Sequence, residues 1–195
     1  MEQPSLESGG FIGRHGLWAP DQARLAREVL ERARAQDLQL IRLAWSDTHG
    51  QARAKSVTLP VFEQALVDGY NINVATWTLD AAGGRVFSSF SPGGGMNLPE
   101  MTGSPNLIVV PDPSTFRVLP WAPGVGWLVC DPYFTDGRPF HFCARRLLRQ
   151  MLDRLDKHGL KAVVGLEVEW TLLKLLQETL AEENIGAGGQ RGKPL

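Results

Sequence analysis

At 195 residues, with 43 % hydrophobic and 21 % charged residues, the chain has the apolar material for a real core, which excludes wholesale disorder. A formal net charge of −1 gives no electrostatic case for nucleic acid or an anionic membrane, and no apolar run approaches the roughly eighteen residues of a bilayer span. The two cysteines, Cys130 and Cys143, and the lack of a charged-then-apolar leader make a reducing cytoplasm the expected compartment.

The first ten residues, MEQPSLESGG, read as a loose tail. A helix is expected from about Pro20 to Gln36, where proline suits the first turn and Leu25, Ala26, Val29, Leu30 and Ala33 recur at helical spacing. Two extended runs, 38–45 and 51–58, flank Asp47-Thr48-His49-Gly50 and predict a hairpin. Pro60 opens a short helix, Val61 to Val67, which Asp68-Gly69 ends. Two further strands are expected at Ile72–Leu79 and Arg85–Phe90, around the turn DAAGG. Residues 91–105, SPGGGMNLPEMTGSP, carry neither periodicity and read as a loop. Strands are expected again at Leu107–Val110, Thr115–Leu119 and Val125–Cys130. A helix over Ala144 to His158 is expected to bury a stripe of Leu147, Leu148, Met151, Leu152 and Leu155, with Gly159 as its stop. From Leu172 to about Glu183 the spacing is helical once more.

Between those last helices lies KAVVGLEVEWTLLK (161–174). Val164, Leu166, Val168, Trp170 and Leu172 alternate with Val163, Gly165, Glu167, Glu169 and Thr171, which predicts a strand with one face on a core. Its other face sets two carboxylates side by side, and burying them unpaired is costly. On period and charge alone the pair is open between two ordinary solvent glutamates, the commoner case, and a site for Mg²⁺ or Mn²⁺, which take oxygen ligands and bridge to phosphates.

GLEVEW (165–170) resembles the G-x-E-x-E-aromatic strand of the glutamine synthetase family. VVPDPSTFRVLPWAPGVGWLVCDPY (109–133) resembles the segment that links that family's two domains, and SDTHGQARAKSV (46–57) resembles its first hairpin. The order of these pieces along 37–175 matches as well. The resemblance implies an α+β chain: a tail and helix over 1–36, a β-grasp amino-terminal domain over 37–134, and the incomplete beginning of the α/β catalytic domain over 135–195. It implies ATP-dependent ligation, in which a glutamate-type carboxylate becomes an acyl phosphate that ammonia or an amine attacks, with Mg²⁺ or Mn²⁺ on the phosphates. Glu167 would hold the metal nearer the nucleotide and Glu169 the metal nearer the carboxylate substrate. The implied assembly is a homo-oligomeric ring, with no nucleic acid and no membrane as partners.

One departure bears on the acceptor. Ammonia-using members carry an aspartate-glycine-serine-serine run whose aspartate binds ammonium; here GYNINVAT (69–76) places Asn73 nearest that position. Asparagine carries no charge and cannot act as a base, which favours members that use polyamines or other amines. The alternative is a truncated, non-catalytic paralogue that serves subunit assembly. His49, His141 and His158 lack metal-ligand spacing and read as turn or solvent residues, and Cys130 as a small buried hydrophobe. Arg117 and Arg138 are salt-bridge or interface residues, with nothing in the sequence to choose between these.

Overall fold

The computed structural model describes residues 9–84, 86 and 88–172. The chain divides into two units, residues 1–160 and 161–195. The first unit has a mixed α/β fold. Helices α1 (Gly10–Arg14), α2 (Gln22–Ala35), α3 (Leu59–Asp68) and α4 (Ala144–Lys157) accompany strands β1 (Leu40–Ser46), β2 (Ala52–Thr58), β3 (Tyr70–Asn73), β4 (Asn106–Pro111), β5 (Arg117–Val118) and β6 (Val125–Tyr133). The strands form one sheet in the order β2-β1-β6-β4-β3, with β5 also paired to β6. All pairs are antiparallel except β1–β6, which runs parallel from Leu40–Val125 to Ala44–Val129.

Alternation along the strands sets the core. Ile41, Leu43 and Trp45 of β1, Leu107 and Val109 of β4, and Leu128 and Cys130 of β6 turn to one face. Ala26, Val29 and Ala33 of α2 and Phe62, Ala65 and Leu66 of α3 cover it. Gly69 stops α3 at φ +67°, and a Cβ there would lie 2.3 Å from Ile108 Cγ2, so the turn into β3 admits only glycine. On the other face, Phe11 and Ile12 of α1 cover Ile108, Val110 and Tyr133. Helix α1 falls at the end of the expected tail. Its Phe11 N–H donates to Asp68 Oδ1 at 2.9 Å, a long-range bond that no local pattern announces.

Four expectations are corrected. The strand expected at 72–79 ends at Asn73, because Asn73 Oδ1 caps a 3₁₀ turn over Val74–Trp77. Of the strand expected at 85–90, residues 86 and 88–90 are not in a strand, and Arg85 and Phe87 lie outside the described residues. The stripe expected to be buried on α4 is exposed instead at Leu147, Leu148, Met151 and Leu152: no residue of the helix is buried, and what ties it to the sheet is Arg145 and Arg149, at the edge of the stripe, on Asp112 and Asp131. The strand expected at 163–172 is not one either. Residues 161–172 have no regular secondary structure and exposed side chains, since a strand exists only when a neighbour pairs with it, and none of the described strands does. The helix expected over 172–183 lies outside the described residues from residue 173 onward.

Candidate functional site

Three connections gather at one end of the first unit's sheet: the 47–51 turn, residues 74–105 and residues 134–143. Fully buried Trp77 ties them together, 6.0 Å from the Trp45 ring and 5.0 Å from the Phe140 ring. The hairpin turn is fixed by Asp47, 1 % exposed, which accepts from the backbone N–H groups of His49 and Gln51 and pairs with Arg53. Burial pushes the Asp47 carboxyl up, but those backbone donors and Arg53 outweigh it and leave it below its ordinary value. His49 reaches across to the Leu79 carbonyl at 2.9 Å, which accounts for it as a turn residue.

Asn73 sits at the end of β3 with its carboxamide occupied. Oδ1 accepts from Ala75 N–H at 2.9 Å and from the Ser104 hydroxyl at 2.8 Å, and Nδ2 donates to the Ser104 carbonyl at 2.7 Å. Ser104 holds φ +56°, and Met96 and Asn97 in the same loop are also left-handed, a strained conformation for residues other than glycine. The loop is nevertheless compact. Met101 is fully buried, and Gly95 N–H and Gly103 N–H donate to the carbonyls of Ser88 and Ser89. Glu100 meets His141 Nε2 at 2.9 Å, which ties the loop to the chain leading into α4 and lowers the Glu100 carboxyl below its usual range.

Sequence reading missed an ionic cluster at the base of α4. Asp112 Oδ2 accepts from Arg145 and, at 2.8 Å, from Arg149; Asp131 Oδ2 accepts from Arg145 at 2.9 Å and from Arg149 at 2.7 Å. Asp112, 3 % exposed, also accepts from the Ser114 hydroxyl at 2.6 Å and the Ser114 N–H at 3.1 Å. Burial pushes its carboxyl up, yet Arg145 and Ser114 pull it down further, to about 2. Arginines one helical turn apart after two aspartates that bound the β4–β6 segment are the only signal the sequence offers. Cys143 caps the same helix through Sγ, and burial raises its thiol above the ordinary range, as it does that of Cys130.

Glu167 and Glu169 belong to the second unit. Both are exposed, on a stretch without regular structure. A Mg²⁺ centre asks for six oxygens in near-octahedral geometry. Among the described residues no group of three or more His, Cys, Asp or Glu side chains gathers to hold a metal ion. The described residues therefore do not by themselves make the implied metal centre.

No family model matches the chain. It is 34 % identical over 182 residues to a gamma-glutamylanilide synthase of an Acinetobacter species, an alignment covering 92 % of this chain and 36 % of that protein. It is 29 % identical over 151 residues to a glutamine synthetase of Methanosarcina mazei, covering 76 % of this chain and 30 % of the relative. The solved structure of apo GmaS without ligand aligns with a TM-score of 0.51 at 27 % identity, over 66 % of this chain and 26 % of that one. The chain belongs to the glutamine synthetase family. It spans about a third of the length of the curated relatives it matches. Within a glutamine synthetase family chain, the first unit supplies a fixed sheet with three joined loops at one end, and the second carries the acidic pair.

Proposed function

We propose that this chain is the amino-terminal part of an ATP-dependent ligase that joins a glutamate-type carboxylate to an amine through an acyl phosphate. The observation that carries this reading is the match along 92 % of the chain to a gamma-glutamylanilide synthase, a protein about two and a half times as long. The first unit's hairpin, helix α3 and parallel β1–β6 pair support a β-grasp domain over 37–134, with 135–195 as the entrance to a catalytic domain. In that reading Glu167 takes the metal nearer the nucleotide and Glu169 the metal nearer the carboxylate. The other ligands come from sequence that the relatives have and this chain does not span, so this chain alone does not turn over. The ring assembly belongs to the same proposal.

Asn73 supports an amine rather than ammonia as acceptor. It brings no negative charge to a cationic ammonium, and both the oxygen and the nitrogen of its carboxamide are already engaged by Ser104 and Ala75. An amine that is neutral at pH 7, as an arylamine is, needs no carboxylate to take its proton before it attacks. The test is phosphate release by a protein of the relatives' full length, given ATP, Mg²⁺, glutamate and a panel of ammonia, alkylamines and aniline. Release that depends on one amine is expected. Release with ammonia alone overturns the Asn73 reading, and silence across the panel overturns the ligase and leaves the assembly role. Glu167→Gln in that protein is expected to weaken Mn²⁺ binding by about tenfold, as loss of one of its carboxylate ligands should.

A further inference from the structure

One face of the sheet is only partly covered. Ile41, Leu43 and Leu128 are fully buried beneath α2 and α3, and Val118 packs against the same core. Their neighbours must point the other way. Register then aligns four of these in one row across four strands. Arg42 stands opposite Ser56 of β2 and beside Trp127 of β6, and Trp127 stands opposite Arg117 of β5. The rows on either side are Ala54, Ala44 and Val129, and Thr58, Leu40 and Val125. Small side chains make the floor flat. Arg42, Trp127, Val125 and Val129 are half-buried, and Arg117, Leu40, Ala54 and Ser56 are exposed.

Among the described residues neither arginine has a carboxylate partner. Arg117 donates only to the carbonyl of Phe116, at 2.6 Å. Asp131, the acid on this side of β6, is already held by Arg145 and Arg149. Two unpaired arginines, their backbones about 10 Å apart by strand spacing, thus bracket a tryptophan on an open apolar floor. Arginine and tryptophan are the residue types that dominate binding energy at protein interfaces.

We propose that this face docks an acidic polypeptide segment of a partner chain, one that presents two carboxylates with an apolar residue between them. The carboxylates meet Arg42 and Arg117, and the apolar residue covers Trp127. A flat floor suits a polypeptide better than a small molecule, which needs a concave site. Two cations on a chain of net charge −1 are too few to track a polynucleotide backbone. The inference stands on register and charge and does not depend on the ligase reading.

The test uses the 195-residue chain and a fluorescein-labelled peptide with Glu-Ser-Leu-Ser-Glu in a Gly/Ser frame, in which the two carboxylates and the leucine between them share one side when the peptide is extended, read by anisotropy across a salt series. Binding is expected, weakening as salt rises. Arg42→Glu with Arg117→Glu is expected to weaken it by about tenfold or more, and the milder Arg42→Gln with Arg117→Gln to do so in the same direction with the urea midpoint unchanged. Arg24→Glu, on α2, leaves binding as it was. The proposal is overturned if the peptide does not bind, if the Arg24 variant loses as much as the double variants, or if a single-stranded oligonucleotide binds more tightly than the peptide.

Discussion

Replacing Asp112 by Asn tests what holds α4. The substitution keeps the shape and an acceptor for Ser114, but removes the charge that faces Arg145 and Arg149. The Asp112 carboxyl falls from its ordinary 3.8 to about 2 in the folded chain. That corresponds to roughly 2 kcal/mol of stability, at about 1.4 kcal/mol per tenfold change in proton affinity. Asp131 remains to both arginines, so the cost stays below the ~3–5 kcal/mol of a buried charge left wholly unpaired. The sign follows from a depressed folded value. The contribution is complete above the unfolded carboxyl value near 4, and it is lost as pH falls toward 2. Urea unfolding at pH 7 and at steps down to pH 2.5 is the assay. Asp112→Asn is expected to be about 2 kcal/mol less stable at pH 7, with the difference shrinking below pH 4. A difference that stays constant with pH, or is missing at pH 7, would refute the assignment of that energy to the ionised pair.

Trp77→Ala removes the side chain on which three connections converge and is expected to cost about 3–5 kcal/mol, read as a lowered urea midpoint with loss of near-ultraviolet dichroism. Gly95→Ala places a Cβ 2.5 Å from the Met101 backbone at φ +66°, so more than 1 kcal/mol is expected, with faster amide exchange over 88–104. Leu148→Lys, on the exposed side of α4, should change this chain's stability by less than about 0.5 kcal/mol; a loss several times larger would mean that the stripe is covered in solution.

Local chemistry made much of the first unit legible. The alternation of 38–45 and 51–58 around Asp-Thr-His-Gly yields β1 and β2, and Pro60 with Asp68-Gly69 frames α3 to within two residues. Periodicity also finds α4, but it reports only that the helix has two sides. What holds it is set by Asp112 and Asp131, up to thirty-seven residues away from their arginines. Asn73 was visible as a departure from a family pattern, whereas its three bonds depend on Ser104, thirty-one residues distant, and on a local cap. Residues 163–172 show the opposite limit. Their alternation is as regular as that of β1, yet a period describes what a segment would bury and cannot supply the neighbour that pairs with it.

Because β6 lies between β1 and β4, the middle of the sheet is the last strand to leave the ribosome. Leu40 must wait for Val125 before its free edge is satisfied, a closure that slows folding and leaves the nascent hairpin with an open side. A nonsense or frameshift lesion between β4 and β6 would therefore remove the centre of the sheet rather than trim its margin. The fragment left behind would hold two separate hairpin-like pieces, each prone to join its own kind.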